Sequence, residues 1–348
     1  MHKFYVGVAA FLLTLLISLP LCAQSYTATE LYGTLNETYA TGINDSGMVV
    51  GYSGIARTDA LLWSPNGSRQ VLGTLGGKYA QALAINNLGQ VVGWSSLAGN
   101  SSYHAFLWTQ AGGMQDLGFE ASPNAINDNT EIVGYYEPVQ NVWHAFLWTQ
   151  AGGLQDLGTL GGTNSQAYGI NAAGHVTGSA EGADGTNHAF LWTAQGGMQE
   201  LVPGETFPSG GAAINDSDQV VGTLLNSQDN ENHAFLWSQA TGMQDLGTIR
   251  GGWSGASAIN NSGDVVGDAG KPGNYRHCNC FSVVWPQGGA LEKLVPPLVP
   301  KGLALSKGAT GINSSGQVAA NGVHEPFLLT PKKRRELPCA IHLQQANH

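Results

Sequence analysis

The chain has 348 residues, 42% of them apolar, which is enough for a sizeable core and too apolar for a disordered chain. Its net charge is −10, and with no basic run before Lys332 it is a poor electrostatic match for nucleic acid; the acidity itself reads as solubility. Charged residues are only 11% and glycines number 49, a composition that points to an all-β protein with many tight turns.

In chain order, residues 1–23 come first and read as a signal peptide. Lys3 supplies the positive charge, an apolar run extends from Phe4 to Leu19, Pro20 breaks it, and the small residues of "CAQS" place cleavage after Ala23. The run is short for a membrane span of about 20 residues. Leu21 ahead of Cys22 argues against a lipid-anchored form, which wants a small residue there. The expectation is an exported monomer, periplasmic or extracellular, with no transmembrane anchor in the mature chain.

Residues 24–331 repeat themselves. The dipeptide Ile-Asn recurs at Asn44, Asn86, Asn127, Asn171, Asn215, Asn260 and Asn313, at spacings of 42, 41, 44, 44, 45 and 53, which makes seven units. Each unit reads as four short strands. Strand A is a small-residue run ending in Ile-Asn. A turn such as "NNLG" or "NDSG" leads to strand B, for example "QVVGWS", with the residue types that hairpin turns require. A variable loop leads to strand C, "HAFLWT". The turn "QAGG" leads to strand D, "MQDLGTL". No unit has room for a helix of ten or more residues. Four antiparallel strands per unit of this length predict a seven-bladed β-propeller, with strand A innermost and the doubly apolar strand C sandwiched between blades. Unit seven stops after strand C, whereas the mature N-terminus carries "ELYGTLNE", a match to the strand D phrase "QDLGTLGG". An N-terminal strand at residues 30–35 is therefore expected to complete the last blade and close the ring, which removes exposed strand edges. An open solenoid would not explain why the two ends are complementary fragments of one unit.

The phrases "AINNLGQVVG", "HAFLWT" and "MQDLGTLGG" resemble those of the HAF family of bacterial extracellular repeat proteins, over nearly all of residues 27–331. Units one, six and seven depart from the pattern with "DALLW", "FSVVW" and "EPFLL". The resemblance implies an exported repeat protein and no defined activity.

The repeated polar residues read as architecture. His104, His144, His188 and His233 open strand C, and Asp59, Phe281 and Glu325 interrupt the series. Equivalent atoms on neighbouring blades lie too far apart for one metal ion, whose ligands stand at about 2.1 Å, so no metal and no cofactor is expected. Asp116, Asp156, Glu200 and Asp245 recur in strand D and suit a cross-strand or blade-to-blade partner better than a unique carboxylate pair. The "NDSG" turns lack the ligand run of a calcium loop. "GTLGG" lacks the Lys-Ser/Thr and the helix of a phosphate loop, and no nucleophile elbow is present. Cys278 or Cys280 could pair with Cys339, which lies in a basic tail, residues 332–348.

Function is expected on the face where the variable B–C and D–A loops open together. Tyr103, Trp143, Trp253 and Tyr275 are the aromatic candidates there for stacking on a sugar or burial in a protein partner. The favoured reading is a non-catalytic binding propeller for a glycan or a cell-envelope protein. The alternatives are a polysaccharide hydrolase or lyase using loop carboxylates such as Glu120, Glu137, Asp184 and Glu205, and a structural cell-surface protein without a small ligand.

Overall fold

The computed structural model describes residues 24–35, 37–55, 58–204, 206–271, 280–295, 305, 308–323 and 325–332. These form seven four-stranded antiparallel sheets, one per sequence unit, and no helix. The protein is a seven-bladed β-propeller. Blade 2 shows the plan: strand A is Gly76–Ile85, strand B Val91–Leu97, strand C Tyr103–Thr109 and strand D Gly113–Asp116, paired in that order.

Two residue choices make the blades uniform. The phenylalanine of each "HAF" phrase is fully buried at Phe106, Phe146, Phe190 and Phe235. Opposite it in strand B stands a glycine, Gly93 against Phe106 in blade 2. A Cβ on Gly93 would fall 1.9 Å from the carbonyl oxygen of Gln81 and 2.9 Å from the Phe106 ring, so no larger residue fits there. The register shift between Ala82 and Ala84 brings strand A this close.

The second choice is the asparagine after each inner strand. Its Oδ1 accepts the backbone N–H groups two and four residues on, at 3.1 and 2.9 Å from Leu88 and Gln90 in the case of Asn86. That fixes the A–B turn. Its Nδ2 donates to the backbone carbonyl of the equivalent asparagine in the next blade. The series runs Asn44 to Asn86 (3.1 Å), Asn86 to Asn127 (2.9 Å), Asn127 to Asn171 (3.0 Å) and Asn171 to Asn215 (3.1 Å). It continues from Asn215 to Asn260 (3.1 Å) and from Asn260 to Asn313 (3.1 Å), and closes from Asn313 to Asn44 (3.0 Å). All seven asparagines are buried. The ring is a closed circle of hydrogen bonds around the axis.

The seam is closed as the complementary ends require. The N-terminal strand Tyr26–Glu30 pairs with strand C of blade 7, Pro326–Pro331, and supplies its strand D. This is earlier than the expected residues 30–35. Glu30 does align with the carboxylate of "QDLG", since it faces Phe327 as Asp116 faces Phe106. That carboxylate, however, ends strand D, and Leu31 already leaves the sheet for the core, fully buried. Asn321 adds a side-chain clasp, accepting from the Ala40 N–H at 2.9 Å and donating to the Ala40 carbonyl at 3.1 Å across the blade 7 to blade 1 junction.

The recurring histidines and strand D carboxylates are cross-strand partners within each blade. Nδ1 lies 2.8 Å from Asp116 at His104, 2.6 Å from Asp156 at His144, 3.2 Å from Glu200 at His188 and 2.6 Å from Asp245 at His233. Blade 6 puts Phe281 and Lys293 at the same positions, and the Lys293 ammonium sits 4.1 Å above the Phe281 ring. One attraction has replaced another at one register position.

Removing one ring member should be costly. Asn171→Ala leaves the Asn215 carbonyl and two turn N–H groups without their partner, and is expected to lower stability by about 2–3 kcal/mol. Urea unfolding of the variant beside Ala172→Ser, an exposed neighbour with a near-neutral expectation, measures it.

Candidate functional site at the loop end of the axis

The ring has two ends. At the turn end, the residues after the seven asparagines surround a well of about 270 Å³. Several of its polar groups are committed to one another. Asp45 N–H donates to Asn87 Oδ1 at 2.9 Å, Asn87 N–H to Asp128 Oδ1 at 2.8 Å, Ala172 N–H to Asp216 Oδ1 at 2.9 Å and Ser314 N–H to Asp45 Oδ1 at 2.8 Å. These groups form a second, incomplete blade-to-blade tier, in which Ala172 offers no acceptor to blade 3.

The loop end is built differently. There the fourth residue of strand B faces a strand A residue of its own blade and packs toward the next blade. In chain order this column reads Tyr52, Trp94, Tyr135, Ser179, Thr223, Asp268 and Asn321. The facing strand A residues include Tyr39 in blade 1 and the glycines Gly210 and Gly255 in blades 5 and 6. The frame repeats, but the side chains on it do not. Blades 1–3 carry aromatic rings and blades 4–7 carry small or polar groups.

The rings form a crescent. Tyr39 and Tyr52 lie 5.3 Å apart at 31°. Blades 2 and 3 repeat one device: Trp94 meets Tyr103 edge-on at 5.7 Å, and Tyr135 meets Trp143 edge-on at 5.7 Å. Tyr103 and Trp143 each immediately precede the "HAF" histidine, and that position is Asn187 in blade 4 and Asn232 in blade 5. Tyr168 continues the crescent into an axial cavity of about 420 Å³, which it lines with Leu83, Asn124, Ala212 and Ser257. The Tyr135 phenol is close enough to raise the pKa of both Tyr103 and Tyr168, in each case after burial as the larger cause. Glu120 and Glu137 push Tyr103 further in the same direction.

In blade 6 the same column position is held by Asp268. Burial pushes its carboxyl up to about 6. It faces Gly255 in its own blade, where an added Cβ would lie 3.4 Å from the Asp268 Oδ1, and Gly308 in the next, where an added Cβ would lie 3.7 Å from the Asp268 Cβ. Neither neighbour has a side chain to screen it. A carboxyl shifted by desolvation is the kind of group functional sites hold.

Among the residues singled out from sequence, Tyr103 and Trp143 fall in the crescent. Trp253 does not: it wedges against Gly270, where a Cβ would fall 2.4 Å from its Nε1, and its carbonyl accepts the Gly270 N–H at 2.9 Å. Tyr275, Cys278, Cys339 and Glu205 lie outside the described residues. Cys280 is disulfide-bonded, to a partner that also lies outside them. Asp184 is drawn off to His188 Nε2 at 3.5 Å, and the Thr186 N–H holds its carboxyl below the usual range. Trp94, Tyr135, Tyr168 and Asp268 were missed. Aligning the seven strand B phrases would have exposed three of them as one variable column after a "VVG" that four of the seven units carry unchanged. Among the described residues no three His, Cys, Asp or Glu side chains are grouped as metal ligands.

No family model matches the sequence, and neither does any curated protein. Solved structures do share its fold. A streptogramin B lyase structure superposes with a TM-score of 0.59 over 88% of this chain and 98% of that one, at 10% identity. Puromycin hydrolase gives a TM-score of 0.51 over 82% of this chain at 11% identity, and the match spans only 50% of that protein. At these identities the likeness is one of fold.

The Asp268 carboxyl has a pH signature. Its value is raised from 3.8 to about 6 in the folded chain, so the folded state binds the proton more tightly. Stability from this group therefore falls as pH rises from about 4 through 6, and the penalty of the buried charge is complete above that, at most about 3 kcal/mol. Asp268→Asn should raise the melting temperature at pH 8 and leave it nearly unchanged at pH 4, as calorimetry at the two pH values would show.

Proposed function

We propose that the protein is an exported, non-catalytic binding propeller that holds a glycan chain against the aromatic crescent, and that its repeats are of the HAF extracellular type. One observation carries this reading. Seven blades built on one plan break that plan where the edge-on pairs Trp94–Tyr103 and Tyr135–Trp143 stand side by side. Rings of this kind present flat apolar faces with polar edges, which suits the faces of sugar rings. They lie beside Tyr168 and the axial cavity it lines, a setting that suits a slender polymer better than the roughly 800 Å² that each side of a protein interface buries. Export rests on the leader in residues 1–23 and on the few charges and stapled cysteine of the mature chain.

A second reading has one observation in its favour. The raised Asp268 carboxyl is suited to proton transfer near neutral pH, which a polysaccharide hydrolase or lyase would use. A structural neighbour bears a lyase name, but it shares the fold alone.

Titration of residues 24–348 with oligosaccharides, followed by tryptophan fluorescence, tests the reading. Trp94→Ala and Trp143→Ala should each weaken binding about tenfold, which corresponds to about 1.4 kcal/mol. Binding unaffected by both substitutions would move the site off the crescent. Release of new reducing ends, abolished by Asp268→Asn, would replace the non-catalytic reading with the second.

A further inference from the structure

Every inner strand carries a one-residue bulge two positions before its isoleucine, at Thr41, Leu83, Asn124, Tyr168, Ala212, Ser257 and Thr310. A bulged residue is left out of the ladder, so its side chain is free to leave the blade. Five of the seven, from five successive blades, line the axial cavity of about 420 Å³, and the axis is the one place that five blades share. The isoleucines lie at the next level. All seven, from Ile43 to Ile312, line the turn-end well, and none lines the cavity. The two hollows share no lining residue. The isoleucine collar therefore divides the axis, and the cavity is a pocket entered from the loop end.

This pocket adjoins the crescent. Strand A of blade 4, Gly161–Ile170, carries Tyr168 and packs on strand B of blade 3, Ile132–Val139, which carries Tyr135. The Tyr168 hydroxyl donates to Gln166 Oε1, and Gln166 faces Ser179 of the strand B column at the loop end. The rest of the wall is poor in hydrogen-bonding groups. Leu83, Ala212 and Ala256 are apolar, and the Asn124 Nδ2 already donates to the Ala167 carbonyl at 2.8 Å. Ser257 adds one hydroxyl. A sugar residue that buried its hydroxyls here would leave most of them unpaired, a penalty that an apolar substituent avoids. An acyl group on nitrogen matches this wall. Its methyl suits Leu83 and the two alanines, and its carbonyl oxygen can accept from Ser257.

We propose that the axial cavity is the specificity pocket of the site, and that the glycan is N-acylated, with an acetamido group directed down the axis from a sugar ring held on the crescent. This rests on the glycan reading above and adds the ligand's substituent to it.

Isothermal titration with three tetramers tests it: the fully N-acetylated glucosamine tetramer, its unacetylated counterpart and cellotetraose. The acetylated tetramer should bind at least about tenfold more tightly than the other two. Ala212→Leu fills the pocket without touching the rings, and the frame accepts it, because blade 2 carries Leu83 at the same register. In this variant the preference should shrink to under about threefold. Ser257→Thr, the residue that blades 1 and 7 carry at this register, should lower the preference in the same direction and serves if Ala212→Leu does not fold. Either of the other tetramers binding as tightly, with sensitivity to Trp94→Ala, would overturn the acyl pocket and leave the glycan reading standing. An acetyl preference that survives both pocket substitutions would also overturn it, because the acyl group would then be read outside the axis. Silence from all three tetramers would overturn it together with the glycan reading.

Discussion

The circle of asparagine hydrogen bonds is the constraint on which the rest depends. Each side chain does two jobs: its oxygen shapes the turn of its own blade, and its nitrogen reaches the backbone of the next. Because the donor and the accepting carbonyl belong to equivalent residues, the blades must take the same height and the same rotation about the axis. A ring of such links closes only at the number of blades whose angles sum to a full turn. The final bond, from Asn313 to Asn44, joins residues 269 apart in sequence. It works together with the N-terminal strand and the Asn321 clasp, so the two chain ends are locked at three radii of the same seam. Buried amides are expensive to leave unpaired, which makes the closed ring far better than any arrangement one blade short.

A frame enforced in this way frees the other end of the axis. The loops there contribute little to closure, and the strand B column can hold Tyr, Trp, Ser, Thr, Asp or Asn without disturbing the blades. Function is expected where the repeat is broken. The break is concentrated: aromatic rings on blades 1–3 with Tyr168 beside them, and a carboxyl kept partly protonated by burial on the far side. The raised Asp268 costs stability at neutral pH, as groups retained for function often do.

Much of this was legible in the sequence, and the physical reasons for the rest are specific. Strand order, blade number and the complementary ends followed from recurrence of short phrases, because a four-stranded blade has no other way to bury the same apolar pattern seven times. The cross-strand pairing of His104 with Asp116 was open to view because both recur at fixed spacing. The role of Asn86 was half seen. A hairpin turn accepts Asn, Asp or Gly, so turn chemistry accounts for an asparagine but not for its recurrence in every unit beside a position that drifts from Asp45 to Ala172 to Ser314. The donation to a carbonyl one blade away explains the difference. Asp268 was hidden for a related reason. Its burial involves Gly255 across its own hairpin and Gly308 in the next blade, and the second contact exists only once blades 6 and 7 stack. Trp253 is the opposite case: aromatic and in a loop it looked available, and it packs against Gly270, apart from the crescent.

The central claim is that a uniform ring presents one asymmetric binding mouth. Hydrogen exchange followed by mass spectrometry, with and without a saturating oligosaccharide, tests it most directly. The account predicts slowed exchange confined to the loop ends of blades 2–4, in peptides covering residues 94–103, 135–143 and 166–168, with the asparagine turns unchanged. Protection spread evenly over all seven blades, or centred on the turn-end well around Asp45 and Asp216, would contradict it.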